Sequence, residues 1–227
     1  MAQEPKSVLV AGASRGIGLA LADAFLARGW RVVATERQPT PALAERAGAW
    51  LETATLDVAS ESGPAALRAR LQGRLDALFV NAGIIDSPSR PIGEAARQDF
   101  LRLMEVNAFG ALRVVEALHD LVPAGGVIGA MSSGLGSLAR NESGGFEAYR
   151  ASKAALNMMM RSFAARAGGA RAVVLMDPGW VRTEMGGPEA PLSAQESARG
   201  VCATLIGAMG TSGPARYLDH RGAEVPW

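Results

Sequence analysis

A tyrosine and a lysine four positions apart are the residues in this sequence best suited to chemistry. The chain has only two tyrosines and two lysines, yet Tyr149 and Lys153 are separated by just three residues. On a helix, residues at i and i+4 project from the same face. A neighbouring positive charge favours the ionised form of a phenol, so the pair predicts a phenol whose proton is readily exchanged. Such a group can donate or accept a proton at a ketone or an alcohol.

The elements that would position this pair follow from the hydrophobic pattern. Short apolar runs alternate with longer amphipathic runs, which is the pattern of a parallel sheet covered by helices. The predicted strands are residues 7–11, 31–35, 50–56, 77–81, 127–131 and 172–176. The predicted helices are residues 17–28, 41–47, 63–72, 95–121, 147–167 and 194–209. The Gly- and Pro-rich stretches 86–93 and 186–192 are predicted to be surface loops, and the second is a candidate for a mobile loop.

Composition indicates a soluble globular protein. A chain of 227 residues is long enough for a large core, and we expect a single domain over residues 1–227. The net charge is +1, which argues against a nucleic-acid or polyanion partner. No apolar stretch approaches the ~20 residues of a membrane span. The first residues lack the pattern of a signal peptide, so we expect a cytoplasmic protein.

Metal chemistry is not indicated by the sequence. Cys202 is the single cysteine, so neither a disulfide within one chain nor a cysteine-based metal site is expected. His119 and His220 stand far apart, and both are expected to be surface or packing residues. The predicted chemistry is therefore proton transfer by side chains rather than metal catalysis.

A glycine-rich turn follows the first predicted strand and opens the first predicted helix. Its three glycines let the backbone bend sharply and approach a ligand closely. The N-terminus of the helix offers free N–H groups and the positive end of its dipole to a pyrophosphate. A dinucleotide-binding site is therefore predicted at Gly12, Ser14, Arg15, Gly16, Ile17 and Gly18.

The end of the second predicted strand bears on the identity of the dinucleotide. Glu36 is placed to take the ribose hydroxyls of NAD and to repel a 2′-phosphate. Arg37 and Arg15 could instead bind that phosphate through bidentate guanidinium contacts. Two arginines against one carboxylate favour NADP(H), with NAD(H) as the alternative.

Six motifs, in one order along almost the whole chain, resemble those of the short-chain dehydrogenase/reductase superfamily, in its compact single-domain branch. They are Gly12-x-x-x-Gly16-x-Gly18, Asn81-Ala82-Gly83, Asn107, Ser133, Tyr149-x-x-x-Lys153 and Pro178-Gly179-Trp180-Val181-x-Thr183. The insertion at 141–145 and the ending Tyr217-Leu218-Asp219…Val225-Pro226-Trp227 make the chain most similar to the carbonyl-reductase and C-factor-like group. The resemblance implies an α/β Rossmann-type fold, a doubly wound parallel sheet of about seven strands with helices on both faces. The seventh strand is expected near residues 215–218.

The resemblance also implies four catalytic residues. Tyr149 would be the acid or base. Lys153 would bind the nicotinamide ribose and, together with the positive nicotinamide, would lower the pKa of Tyr149. Ser133, rather than Ser132, would hold the substrate oxygen. Asn107 would bind a water that connects Lys153 to solvent, although a buried asparagine satisfied by the backbone is the structural alternative.

Further cofactor contacts follow from the same resemblance. Asp57 and Val58 would contact the adenine, and Asn81, Ala82 and Gly83 would close around the adenosine ribose. The nicotinamide would be covered by Pro178, Gly179, Val181 and Thr183. Each group has an ordinary alternative: a helix cap at Asp57, a strand-end turn at 81–83 and a loop breaker at 178–179.

The expected function is that of an NAD(P)-dependent oxidoreductase that reduces a ketone or aldehyde, or oxidises a secondary alcohol. The alternatives are a reductase of carrier-bound 3-oxoacyl chains and a catalytically silent NAD(P)-binding regulatory protein. The family also suggests a homodimer or homotetramer through the outer faces of helices 95–121 and 147–167. Apolar residues on these helices are expected to pack mostly in the core; they include Leu103, Val106, Phe109, Leu156 and Met159.

Overall fold

Seven parallel strands form one sheet in the computed structural model, which describes residues 4–71, 73–85 and 91–227. The described residues form nine strands, of which β7 and β8 lie outside this sheet. They are β1 (Ser7–Ala11), β2 (Arg31–Glu36), β3 (Leu51–Thr55), β4 (Ala77–Val80), β5 (Val127–Met131), β6 (Ala172–Asp177), β7 (Val181–Arg182), β8 (Leu192–Ser193) and β9 (Arg216–Asp219). The order in the main sheet is β3-β2-β1-β4-β5-β6-β9, and β7 pairs with β8 in a small second sheet. This confirms the predicted doubly wound fold, including its seventh strand.

Helices cover both faces of the main sheet. They are α1 (Gly16–Leu26), α2 (Pro41–Ala44), α3 (Gly63–Arg70), α4 (Arg97–Met104), α5 (Ala111–Leu118), α6 (Glu147–Phe163) and α7 (Ala194–Ala208). Alternate residues of β1 point to opposite faces, as the pleat requires. Val8 and Val10 join the hydrophobic core beneath α1 and α7, whereas Leu9 and Ala11 join the core beneath α3, α5 and α6. Among the described helices, none is both long and apolar enough to cross a membrane.

The long helix predicted at 95–121 is instead a succession of helical segments. A π-helical turn, Glu105–Gly110, joins α4 to α5, and a 3₁₀ turn at His119–Leu121 follows. The backbone of Gly110 packs tightly against the loop that follows β3, and a Cβ at Gly110 would stand 2.5 Å from the carbonyl oxygen of Val58 in that loop. This close packing, which no hydrophobic period reveals, accompanies the wider turn. Such π turns are often found at functional sites.

Two helix ends and the second predicted loop differ in detail from the sequence expectation. The helix predicted at 41–47 ends at Ala44, and α3 ends at Arg70. Gln72 and residues 86–90 of the predicted loop 86–93 lie outside the described residues. The second predicted loop, 186–192, is fixed at its end, because Leu192 pairs with Val181 and the Arg182 guanidinium donates to the carbonyl of Ala190 at 2.7 Å.

The strand order reverses between β1 and β4, at the centre of the sheet. In open α/β sheets a ligand binds beyond the carboxyl ends of the strands at such a switch point. Chain segments that leave β1, β4, β5 and β6 therefore meet at one edge. They carry the glycine-rich turn, Asn81-Ala82-Gly83, Ser133 and the Pro178 motif, which the sequence analysis had picked out separately.

Candidate active site

The glycine-rich turn, residues 12–18, packs directly against the segment that follows β4. Gly12 has a φ of +89°, and a Cβ there would stand 2.8 Å from the backbone nitrogen of Ala82. A Cβ at Gly18 would stand 2.0 Å from the carbonyl oxygen of Gly12. Real Cβ atoms do not tolerate such distances, so both positions require glycine. The turn is a cradle of backbone that leaves its outer side open to a ligand.

Side chains from neighbouring strands fix the backbone of this turn. The Asn81 Nδ2 donates to the carbonyl oxygen of Gly12 at 2.7 Å. The Gly12 N–H donates to the Thr35 hydroxyl at 3.1 Å, and the Ala13 N–H to the Thr35 carbonyl at 2.7 Å. Thr35 was not identified from the sequence. The Asn81 amide, which the sequence analysis placed at the adenosine ribose, binds the turn itself.

The N-terminus of α1 lies at the glycine-rich turn, where the motif predicts an anion site. Its N-cap residue, Arg15, is extended and makes no side-chain capping bond, and no acidic residue lies in the first turn. The first N–H groups of α1 therefore point into the cradle without a side-chain cap, with Ser14 and Ile17 half-buried beside them. A diphosphate suits such a site, because N–H groups and the helix dipole both favour negative charge.

The carboxylate at the end of β2 is directed away from the role expected for it. Glu36 is buried, and its Oε2 accepts hydrogen bonds from the Thr40 hydroxyl at 2.7 Å and the Thr40 N–H at 2.9 Å. Arg37, the next residue, is exposed. On the following strand connection, Asp57 Oδ1 accepts the Ala59 N–H at 2.9 Å, which caps a local turn and not helix α3, whose N-cap is Ser62.

Helix α6 carries Tyr149 and Lys153 on one buried face. Tyr149 is 6 % exposed and Lys153 is 2 % exposed. The Lys153 ammonium donates to the carbonyl oxygen of Met131, the last residue of β5, at 2.8 Å and lies 5.7 Å from the centroid of the Tyr149 ring. A Cβ on Gly83 would stand 3.3 Å from Lys153 Nζ, which places the ammonium beside the 81–83 segment. The pair is thus at the switch-point edge.

Burial dominates the protonation of this pair. Loss of hydration raises the pKa of Tyr149 to about 12, with a further rise from the charge of Asp177, while a hydrogen bond from the Ser133 side chain acts in the opposite direction. Burial also lowers the pKa of Lys153 to about 8. The sequence predicted a lowered pKa for Tyr149. In the structure the direction is the reverse, because desolvation of the buried phenol is the largest contribution to its pKa.

The two serines after β5 have different surroundings. The Ser133 side chain lies close enough to Tyr149 to favour its phenolate, and its hydroxyl accepts the Leu135 N–H at 3.2 Å. Ser132 is fully buried, and its hydroxyl donates to Asn157 Oδ1 at 2.6 Å. Of the two, Ser133 is the serine that lies beside Tyr149.

Asn107 lies in the π-helical turn and is completely buried. Its amide donates to the Ile84 carbonyl at 2.8 Å and to the Ser152 hydroxyl at 3.0 Å, and its Oδ1 accepts the Ile84 N–H at 2.8 Å. Ser152 in turn donates to the Tyr149 carbonyl at 2.7 Å. The side chain therefore matches the structural alternative, an asparagine satisfied by its neighbours. It ties the segment after β4 to the helix that carries Tyr149.

The segment after β6 extends towards the glycine-rich turn. Gly179 has a φ of +77°, and its N–H donates to Asp177 Oδ1 at 3.0 Å. Val181 is held in β7, and Thr183 reaches the turn, since a Cβ on Gly16 would stand 3.4 Å from its Cγ2. The Pro178 carbonyl is fixed by the Ser197 hydroxyl at 2.8 Å. An ion pair of 2.7 Å between Arg15 and Glu184 connects the two segments across the mouth of the cleft.

Besides Thr35, sequence reasoning missed three polar residues near Tyr149. Asn157 lies two helical turns after Tyr149, so the same i+4 spacing, continued once more, could have identified it. Asp177 ends β6 at the carboxyl edge, where its charge affects both tyrosines. Tyr217 was used only to place the chain in a subgroup, yet its hydroxyl donates to the carbonyl oxygen of Ser133. Among the described residues, no cluster of three or more side chains could hold a metal ion.

Comparison with known proteins agrees with this geometry. The family model for short chain dehydrogenases matches residues 6–192. The C-signal protein of Myxococcus xanthus is 40 % identical over 159 residues, which cover 68 % of this chain and 94 % of the relative.

Two solved structures share the whole fold. A short-chain dehydrogenase/reductase from Burkholderia multivorans with bound NADP is 52 % identical, with a TM-score of 0.94, and the match covers 98 % of this chain and 100 % of the other. A carbonyl reductase from Pseudomonas aeruginosa in complex with NADP is 42 % identical, with a TM-score of 0.90, over 99 % and 100 % of the two chains. The sequence motifs, the sheet topology and these relatives lead to one conclusion: the chain belongs to the short-chain dehydrogenase/reductase family and is an oxidoreductase of its carbonyl-reductase-like group.

Proposed function

We propose that the protein reduces a small ketone or aldehyde with NADPH and that Tyr149 supplies the proton. The observation that carries the proposal is the convergence of the Tyr149 phenol, the Ser133 hydroxyl and the buried Lys153 ammonium at the edge of the sheet that holds the glycine-rich cradle. The relatives support the reaction class, because one is a carbonyl reductase solved with NADP.

The described residues fit a dinucleotide. The uncapped N-terminus of α1 and the glycine cradle would take the pyrophosphate, and the segments at 57–58 and 81–83 would line the adenosine side. Residues Pro178, Gly179, Val181 and Thr183 would lie over the nicotinamide, since their segment crosses to the glycine-rich turn. The bound cofactor would supply the hydride.

The protonation of Tyr149 suits an acid. With a pKa of about 12, the phenol is protonated at neutral pH and can give its proton to the oxygen of a carbonyl substrate. Ser133 would donate a hydrogen bond to the same oxygen and hold it beside the phenol. Lys153 would bind the nicotinamide ribose and stabilise the phenolate left behind. Asn107 would help to position Tyr149 indirectly, because it binds the Ser152 hydroxyl, which in turn binds the Tyr149 carbonyl.

Local contacts at the end of β2 favour NADPH over NADH. A ribose-binding carboxylate must present its oxygens to the ligand, but Thr40 occupies Glu36 Oε2 with two hydrogen bonds. Arg37, exposed at the adjacent position, can bind a 2′-phosphate through its guanidinium. Arg15 would also bind the 2′-phosphate once released from Glu184. The ion pair between Arg15 and Glu184 is exposed, so it is weak.

A homodimer or homotetramer is part of the proposal. The expected core residues Leu103, Val106 and Leu156 are buried, whereas Phe109 is 55 % exposed. Met158, on the outer face of α6, is 66 % exposed. Large apolar side chains on these two adjoining segments support self-association. Light scattering at micromolar concentration should give a multiple of 23.5 kDa, and a monomeric mass would contradict this part of the proposal.

A substrate panel tests the function directly. NADPH and NADH oxidation should be followed with the purified protein and a set of ketones, aldehydes, quinones and 3-oxoacyl thioesters. We expect turnover of at least one ketone or aldehyde with a clear preference for NADPH. Tight NADPH binding without turnover of any carbonyl would instead indicate a catalytically silent protein, and activity confined to 3-oxoacyl thioesters would indicate a carrier-chain reductase.

A further inference from the structure

We propose that Tyr217 and Asn157 are positioning residues that hold the segment 132–136, and through it the Ser133 hydroxyl, in place beside Tyr149. The proposal rests on the function proposed above, since it assigns these residues to the same reaction. Neither residue belongs to the sequence motifs of the active site. Both are buried polar side chains that hydrogen-bond the segment directly.

Tyr217 reaches the segment from the edge of the sheet. It lies on β9, opposite Leu175 of β6, and is only 2 % exposed. Its hydroxyl donates to the Ser133 carbonyl oxygen and also lies within hydrogen-bonding reach of the Ser132 and Asn157 side chains. A phenol buried this deeply needs a polar partner, and the Tyr217 hydroxyl finds it in the segment 132–136.

Asn157 reaches the same segment from helix α6. It follows Tyr149 and Lys153 at the same four-residue spacing, so the three side chains form one stripe on the helix. Its Oδ1 accepts the Ser132 hydroxyl at 2.6 Å, and its Nδ2 donates to the Gly136 carbonyl at 3.2 Å. The asparagine therefore binds both ends of the segment 132–136, which contains the short 3₁₀ turn Gly134–Gly136.

The chain after β9 supports Tyr217 from behind. Val225 N–H donates to the Tyr217 carbonyl at 2.8 Å, and the Trp227 ring stacks at a tilt on the Tyr217 ring, with 5.5 Å between centroids. The Ser137 hydroxyl donates to the Pro226 carbonyl at 2.5 Å. The Arg161 guanidinium, from α6, lies 4.9 Å from the Trp227 ring. Residues 225–227 thus pack against Tyr217, Ser137 and helix α6.

These contacts have a consequence for catalysis. Rotation of the peptide that follows Ser133 would move its carbonyl oxygen and re-aim the side chain, and the Tyr217 hydroxyl opposes that rotation. Small misplacements of a group that orients the substrate can cost up to about 10²-fold in rate. Loss of one positioning hydrogen bond should therefore lower kcat while the distant cofactor cradle stays intact.

A double-mutant cycle between Tyr217 and Ser133 tests the proposal. Tyr217→Phe keeps the ring and its packing on Trp227 but removes the hydroxyl. We expect kcat for NADPH-dependent carbonyl reduction to fall about tenfold, with the Kd for NADPH unchanged. In a Ser133→Ala background the same change should have almost no further effect, because Tyr217 acts through the Ser133 side chain.

The proposal is overturned if Tyr217→Phe keeps full kcat, or if it causes the same loss in the Ser133→Ala background as in the wild type. Asn157→Ala provides a second, independent cycle with Ser133→Ala and decides the matter if Tyr217→Phe does not fold. The wild-type protein separates the two proposals. If it turns over a carbonyl but neither cycle shows coupling, the positioning roles fail and the proposed function stands.

Discussion

The cofactor half of the site is built mostly from backbone, whereas the catalytic half is built from buried side chains. Around the glycine-rich turn, the close contacts are between main-chain atoms of Gly12, Gly18 and Ala82. Around Tyr149, the contacts are hydrogen bonds among Ser133, Lys153 and their buried neighbours. The first half therefore tolerates no added atom at its glycines. The second half depends on the polar group of each individual residue.

Burial separates the two halves electrostatically as well. Arg15 and Glu184, at the mouth of the cofactor cleft, have side chains 76 % and 73 % exposed, so solvent and salt screen their interaction. Lys153 is 2 % exposed, and its pKa is lowered to about 8 by burial alone. A charge change is therefore expected to matter far more at the catalytic end of the cleft than at its mouth.

Removal of the buried charge should have the largest effect. Lys153→Met should lower kcat/KM by about 10² or more, because the variant loses the ammonium that would bind the ribose and stabilise the phenolate. The chain offers a matched control in its other lysine, Lys6, which is exposed. Lys6→Met should leave kcat/KM near the wild-type value. A Lys153→Met enzyme within about threefold of wild type would contradict the assignment.

Addition of one methyl group should break the other half. Gly12→Ala places a Cβ 2.8 Å from the Ala82 backbone at a φ of +89°, so the cradle must shift and the Kd for NADPH should rise at least about tenfold. Gly29→Ala is a matched control, with a φ of +72° but nothing within 4 Å of the added atom. Titration of both variants by protein fluorescence decides. Equal Kd values would show that the close backbone packing is not what forms the site.

Neutralisation of Asp177 should shift a pH profile moderately. The Asp177 charge disfavours the phenolate and so raises the pKa of Tyr149. Asp177→Asn removes the charge but keeps an oxygen for the Gly179 N–H. The pKa of Tyr149 should fall, and because alcohol oxidation needs the phenolate as base, the rate should rise to its plateau at lower pH than in the wild type. A profile displaced to higher pH would contradict this sign.

The smallest expected effect is on the choice of cofactor. Thr40→Val removes the hydroxyl that binds Glu36 and keeps a side chain of similar shape. With only the Thr40 N–H bond left to hold it, the carboxylate should turn more readily towards the ribose and lower the ratio of kcat/KM for NADPH to that for NADH by about three- to tenfold. An unchanged or increased ratio would show that Glu36 does not limit the use of NADH.

Local spacing predicted much of this site, and long-range packing accounts for the rest. The i, i+4 spacing of Tyr149 and Lys153 and the glycines of the turn are local features, and the structure brings them to one edge of the sheet. The bond from Tyr217 to Ser133 joins residues 84 positions apart and depends on β9 lying beside β6. No pattern in the sequence encodes that neighbourhood.

Electrostatics were less predictable than geometry for the same reason. The sequence shows a lysine near Tyr149 but not the burial of the phenol, and burial reverses the expected shift in its pKa. The sequence offers Glu36 as a candidate ribose ligand but does not show its two hydrogen bonds to Thr40, which depend on the bend of the chain after β2. The π-helical turn at Glu105–Gly110, which interrupts the predicted helix 95–121, likewise accompanies a long-range contact, the close approach of Gly110 to Val58.

The central claim is that Tyr149 supplies the proton in an NADPH-dependent reduction, and Tyr149→Phe tests it most directly. The variant keeps the ring and its packing and loses the phenolic hydroxyl. Turnover of a carbonyl found in the substrate panel should fall by about 10² or more, while the Kd for NADPH stays at the wild-type value. Undiminished turnover in Tyr149→Phe, with the same substrate and cofactor, would contradict the account.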